Sequence, residues 1–329
     1  PKWESFDSTI PNSALILAIT TALVLTVAQV QHASAADRLR VGKAIQNAFT
    51  FALLDVGVAN GVFKGEGLEV EPVTFAGSLK LQQAMTAKDI DLGLSTGQDI
   101  GYIAKGLPVT VVAAISNAPR ETVMLVGYDS PIKTIAEIKG KRVAVSNIRG
   151  YPAWLTVEFS RHEGWGPHGV ALVATGSQQT SMALLRTGQV DAWAGDIGTA
   201  FELEDAHQAR IVANLGEHVP PFMNLALYAT DSLVKSRPDL VRRFVKAWFD
   251  NIAWARSHRE KTVAFLAPAL NLKPSVIGRV YDKLMPVQSR DCNFDPKAMA
   301  TVRRAVVELG ILDKEPDLSK FYTERFLPK

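Results

Sequence analysis

From residue 37 onward, short apolar runs alternate with segments whose apolar residues recur at helical spacing, and this alternation constrains the fold more than any single motif. RLRVGKA reads as a first strand, and NAFTFALLDVGVANGVFKGEG as a helix stopped at Gly61 and Gly67. LEVEPVTFA, IDLGLS and VTVVAAIS read as further strands, the last apolar enough to be buried on both faces. Between them, LKLQQAMTAKD and QDIGYIAKG have helical patterns. A second run of the same kind follows ETVMLVGYDSPI. Its strands are KRVAVS, VALVATG, VDAWAGD and ARIVANLG, and its helices begin near Tyr151, after Gly176 and after Asp196. FMNLALYAT then returns as a strand before a long amphipathic helix, and the remainder to Lys329 is almost wholly helical with breaks at proline. A chain alternating in this way builds doubly wound α/β sheets. Two similar halves, joined twice by extended segments, imply two lobes and a hinge.

Composition agrees with a globular protein. Of 329 residues 47% are hydrophobic and 21% charged, enough for a sizeable core and too few charges for disorder. A formal net charge of +3 is small and scattered, so VRRFVK and TVRRAV read as solvated helix faces and no nucleic-acid partner is expected. The apolar run from Ala14 to Val30, followed by HASAAD, reads as an export signal over residues 1–36, cleaved after Ala35 or Ala36. An uncleaved anchor is the alternative reading of the same run, and the leading segment is less basic than an export signal requires. The single cysteine, Cys292, allows no intramolecular disulfide and has no metal or nucleophile context.

The phrases GVFKGEGLEVEPVTFAGSLKLQQAMTAKDIDLGLSTG, AKGLPVTVVAA, IAEIKGKRVAV, ALLRTGQVDAW and LYATDSLVKSRPDLVRRFVKAW, in this order, resemble the substrate-binding proteins of bacterial ABC importers. The likeness covers the whole chain after the export segment. It is strongest to the nitrate, sulfonate, taurine and thiamine-precursor (NMT1/THI5-like) branch. The resemblance implies an α/β, two-lobe periplasmic binding protein type II fold, with doubly wound mixed sheets joined by a two-segment hinge. Residues 37–118 and 226–329 would form lobe 1 with the C-terminal helices, and 119–225 lobe 2. It further implies a periplasmic, monomeric receptor that closes on a small organic anion, such as a sulfonate, nitrate or carboxylate. That receptor would deliver its solute to a membrane permease and its ATPase, without a cofactor or metal.

Candidate contacts follow from where ligands lie in open α/β sheets, outside the carboxyl ends of strands where helix starts point free N–H groups at a crevice. Four polar tips occur there: Gly77 and Ser78, Ser95 to Gln98 (Thr96, Gly97 and Gln98 as the contacts), Ser146 and Asn147, and Gly195 and Asp196. Each is equally well an ordinary helix cap. Asn47, Phe49 and Thr50 match the family's first contact segment. Asp196 would repel an anion, and so either caps its helix or favours a ligand with a donor. Arg149 and Arg120 are either two-pronged anion partners or solvent-facing loop charges. Tyr151, Trp154, Trp193 and Phe222 are either an apolar wall or core, and Asn224 lies near the crevice on the returning segment.

No catalytic set is legible. The six histidines are scattered, and neither a nucleophile elbow nor a phosphate loop is present. An enzyme of the same fold acting on a heterocyclic or thiamine-like precursor is the alternative. A membrane-anchored sensor is a third.

Overall fold

The computed structural model describes residues 36–328 apart from 46, 47 and 292. Residues 1–35 of the expected export segment, the proposed contact Asn47 and Cys292 therefore lie outside the described residues. Residues Asp37–Lys329 form one compact unit.

Two five-stranded sheets organise that unit. The first contains β1 (Asp37–Lys43), β2 (Leu68–Thr74), β3 (Leu92–Thr96), β4 (Val109–Ser116) and β10 (Leu225–Thr230), in the order β2-β1-β3-β10-β4. The second contains β5 (Thr122–Gly127), β6 (Arg142–Val145), β7 (Ala171–Ala174), β8 (Ala192–Asp196) and β9 (Ala209–Asn214), in the order β7-β6-β8-β5-β9. Each sheet is mixed. β10 pairs antiparallel with β3 and β4, and β5 pairs antiparallel with β8 and β9. The antiparallel member is in each case the strand that has just crossed from the other half of the chain.

The helices α1 (Phe49–Asn60), α2 (Val62–Gly65), α3 (Ser78–Thr86) and α4 (Ile100–Ile103) serve the first sheet. α5 (Tyr151–His162), α6 (Gln178–Arg186) and α7 (Ile197–Asp205) serve the second. The chain ends in α8 (Asp231–Ser236), α9 (Pro238–Ser257), α10 (Arg259–Leu270), α11 (Pro274–Leu284) and α12 (Pro296–Glu308). Gly61, at φ +81°, adopts the left-handed conformation that splits the expected first helix into α1 and α2. α9 begins on Pro238, where the missing N–H costs nothing, and buries Leu240, Val241, Phe244, Val245, Trp248 and Ile252 along one stripe. It is clasped to α1 by Asn251, fully buried, whose Nδ2 donates to the Leu53 carbonyl at 2.7 Å.

The two halves repeat a detail that sets where their strands end. In the first, the Asp91 carboxylate accepts from the Arg40 N–H at 2.8 Å while its own N–H donates to the Arg40 carbonyl at 2.9 Å. In the second, Asp191 clips Arg142 with the same two distances. Each clip fixes the register of an interior strand, β1 or β6, against the neighbouring strand that carries a polar tip, so the tips emerge at corresponding places in the two sheets.

Candidate functional site

The chain passes between the sheets twice, through residues 116–122 going out and 220–225 coming back, and the two passages are bonded together. The Phe222 N–H donates to the Asn117 carbonyl at 3.1 Å and the Asn224 N–H to the Ser116 carbonyl at 3.1 Å. The Gly97 N–H then donates to the Asn224 carbonyl at 2.9 Å, docking the tip of β3 onto the return. A Cβ on Gly97 would lie 1.7 Å from the Met223 carbonyl oxygen, so glycine here serves the packing of backbone on backbone. Tyr228, buried in β10, donates its hydroxyl to the Thr96 carbonyl at 2.7 Å and pins the same tip from below.

Two networks meet at this crossover. The first surrounds Asp99, 4% exposed, which accepts from Ser95, itself 3.0 Å from the hydroxyl of Ser78 at the start of α3. Burial pushes the Asp99 carboxyl up against the pull of these hydroxyls. The Thr96 hydroxyl and Gln82 amide lean on the same carboxyl without reaching hydrogen-bond geometry. This network ties α3 to β3 internally.

The second centres on Glu121, on the outgoing passage. Asn224, on the return and 3% exposed, donates Nδ2 to Glu121 Oε2 at 2.9 Å. Burial pushes Glu121 up to about 7, with the nearby Asp196 adding to the rise. Burial pushes Asp196 up to about 6 although the N–H groups of Gly198 and Thr199, at the start of α7, hold it down. Asp196 is the N-cap of α7, so the capping alternative is the one the geometry displays. On the two passages and the tip of β3, side-chain polar atoms are shut off from water with no partner: Glu121 Oε1, Asn224 Oδ1, Asn117 Oδ1, Gln98 Oε1 and the Thr96 hydroxyl. The Tyr151 hydroxyl and Arg120 Nε are stranded likewise. Native proteins rarely leave buried polar atoms unmet, since each costs ~1–3 kcal/mol.

The other expected contacts divide into several groups. Phe49, of the first contact segment, is buried at 4% exposure, and Trp193 and Phe222, at 2% and 0%, display the core alternative of the two readings offered for them. Apolar bulk won over polar access at each: Phe49 packs edge-on against Tyr281, Trp193 packs against Gly195, and Phe222 lies under Tyr151 with ring centroids 5.7 Å apart. Trp154 completes that aromatic stack and donates Nε1 to Glu308 of α12 at 2.8 Å. The hydroxyl of Thr50 is taken by Gln288 Nε2 at 2.9 Å. Gly77, at φ +109°, opens α3 with no side-chain cap, and Gly150 opens α5 in the same uncapped way. A groove of about 500 Å³ runs beside Gly77, lined also by Ile45, Thr74 and Phe75. Ser146 is half-buried, whereas Asn147 and Arg149 are exposed, joined by a local bond from the Arg149 N–H to Asn147 Oδ1 at 2.9 Å. Arg120 pairs with Glu217 at 2.6 Å and so is not a free anion partner.

Glu121 was not among the sequence-derived candidates. In PRETVMLV it reads as one of a pair of loop charges before an apolar strand, and only the neighbouring passage makes it buried. His162 and His218, distant in sequence, also come within 6.4 Å, with His218 Nδ1 3.0 Å from Glu163. They form no metal-binding group, and none exists among the described residues. A cavity of about 240 Å³ near His218, lined also by Ile197, Phe201 and Lys283, contains none of the stranded atoms. Among the described residues no helix is long and apolar enough to cross a membrane.

Comparison with known proteins gives this geometry a context. The chain is 27% identical over 268 residues to a putative aliphatic sulfonates-binding protein of Escherichia coli, covering 78% of this chain and 75% of that one. It is 26% identical over 231 residues to the 4-amino-5-hydroxymethyl-2-methylpyrimidine phosphate synthase of Legionella pneumophila, covering 68% and 71% respectively. The crystal structure of the periplasmic aliphatic sulphonate binding protein SsuA of E. coli superposes with a TM-score of 0.74 over 88% of this chain and 92% of that one, at 20% identity. The family model for NMT1/THI5-like proteins matches residues 48–262. The chain belongs to the NMT1/THI5-like family and has the periplasmic binding protein fold, with two mixed five-stranded sheets.

Proposed function

We propose that this protein is a solute-binding receptor, exported to the periplasm, that closes two lobes on a small organic anion and delivers it to an ATP-driven importer. The lobes are those built on the two sheets, with changeovers near residues 119 and 225. The observation that carries the reading is the set of buried, partnerless polar atoms where both passages meet the tip of β3. A bound solute would complete them. The uncapped starts of α3 and α5 offer backbone N–H groups to an anionic head, and the half-positive end of a helix favours such a charge. The sulfonate-binding names carried by relatives agree with an anion. The uncapped helix starts stand in for Arg120, whose guanidinium is engaged by Glu217.

Thermal shift with a panel of alkane sulfonates, nitrate and aromatic carboxylates, with and without amino groups, tests the reading. A true ligand at a hundred times its Kd adds ~2.7 kcal/mol of stability. A flat midpoint across the whole panel would refute the anion reading.

A further inference from the structure

Besides the two passages, the C-terminal helices join the halves a second time. α11 is built onto the helices of the first sheet. Its Tyr281 packs edge-on against Phe49 and donates its hydroxyl to the Ala255 carbonyl of α9 at 2.7 Å, while Gln288, just past the helix, donates to Thr50 of α1 at 2.9 Å. α12 lies against α4, where a Cβ on Gly101 would stand 3.1 Å from Val306 and 2.9 Å from Ile311 of the turn that follows.

Each of these helices also grips a helix of the second half. Arg279 of α11 lies over the Phe201 ring of α7, 3.9 Å from its centroid, and pairs with Glu204 and, at 2.9 Å, with Asp205. Leu272, ahead of α11, meets the first turn of α7, 3.2 Å from where a Cβ on Gly198 would stand. Arg304 of α12 donates through both arms to Glu158 of α5, at 2.6 and 2.9 Å, and Glu308 accepts from Trp154 and Arg161 of α5. Burial would push the Glu158 carboxyl up, yet Arg304 and Arg161 hold it below its ordinary value, so the clasp forms as ions.

The grips stand away from the pivot. α5 and α7 start beside the passages, with Tyr151 stacked on Phe222 and Asp196 near Glu121. Glu158 and Glu204 are each seven residues past the first residue of their helix, about 10 Å along its axis. A rotation about the passages moves these points farther than it moves the hinge, and an ion pair weakens as its charges separate.

We propose that α11 and α12 form a two-armed latch on the lobes, in which Arg279 holds α7, Arg304 holds α5, and both must let go before the halves rotate apart. This rests on the reading that the lobes move, and adds that the C-terminal helices govern how freely they do. The Arg279 and Arg304 side chains are 40% and 37% exposed, so dissolved salt reaches both grips.

X-ray scattering of the ligand-free full chain tests the latch. In dilute buffer the radius of gyration should lie near ~20 Å, that of a compact chain of this size. It should rise as salt approaches about 1 M, where the Debye length is ~3 Å. R279E should show the larger radius already in dilute buffer, with circular dichroism unchanged, and adding E204R should restore the wild-type value by rebuilding the pair in the opposite sense. R304Q added to R279E should raise the radius further; the Arg279 series decides on its own if that double variant does not fold. A wild-type radius in R279E, a radius that E204R does not restore, or a wild type indifferent to salt would each overturn the latch. Scattering with saturating ethanesulfonate or nitrate separates this outcome from the reading beneath it. If either solute changes the wild-type radius while R279E does not, the latch alone is wrong; if the radius moves under no treatment, lobe closure is wrong with it.

Discussion

Glu121 should make the ligand-free protein less stable as pH rises, the reverse of what a carboxylate in an ion pair does. Its folded pKa of about 7 stands above the ordinary value of 4.5, so the stabilising form is the protonated one. A group raised on folding contributes fully below its unfolded pKa and loses that contribution as pH climbs through the folded value. Between about pH 5 and pH 8 the loss for Glu121 comes to ~2.5 kcal/mol. Asp196, raised to about 6 from 3.8, loses ~1.4 kcal/mol over the same span, and the two overlap because each charge disfavours the other. The carboxylates held below their ordinary values, Asp37, Asp191 and Asp282 among them, lose their contribution only as pH falls through that lower range. The two windows are therefore separate. Urea denaturation at closely spaced pH values, followed by circular dichroism, reads the effect as a midpoint that declines from about pH 5 to about pH 8. Glu121→Gln isolates it: the variant should match the wild type near pH 5 and exceed it by ~2 kcal/mol near pH 8. Parallel wild-type and variant curves would refute the burial argument, because a solvated Glu121 has nothing to lose.

Three further outcomes follow from the geometry. Gly97→Ala would drive a methyl into the Met223 carbonyl and lift the return passage off β3, costing ~3 kcal/mol in denaturant unfolding and abolishing solute binding; a near-native midpoint would contradict the contact. Glu158, buried in α5, accepts from Arg161 of its own helix and from both arms of Arg304 of α12, at 2.6 and 2.9 Å. Glu158→Gln should cost ~1–3 kcal/mol and raise the radius of gyration by X-ray scattering, and an unchanged radius would deny it a role in holding the halves together. Asn251→Leu should cost ~2 kcal/mol by denaturation because the Leu53 carbonyl loses its donor, and a neutral result would mean that water replaces it.

The alternation of strand and helix was legible because it is periodic, and periodicity survives without tertiary context. The aromatic candidates show where periodicity stops. Trp193 and Phe222 have the same composition signal whether they face a crevice or a core, and burial alone assigns them to the core. Gly97 was read as one of the contacts at its tip, and the Met223 backbone lies where a side chain there would go. Glu121 carried no signal at all, because burial sets its character and its partner Asn224 is more than a hundred residues away in sequence.

That separation in sequence bears on how such a site works. Glu121 is on the passage that leaves the first sheet and Asn224 on the passage that returns, so their hydrogen bond spans both connections between the halves. Any rotation of one half on the other is pivoted on these passages, so this pair lies where the displacement is smallest. An anion held only at the starts of α3 and α5 would bridge the lobes from their outer jaws, with no hold on the crossover itself. The stranded polar atoms at the crossover cost stability wherever they go unmet, by the same burial that raises Glu121. Emptied of solute, the closed arrangement should open more readily near pH 8 than near pH 5, and Glu121→Gln should erase that difference in X-ray scattering while leaving the separate clasp of Glu158 with Arg304 in place.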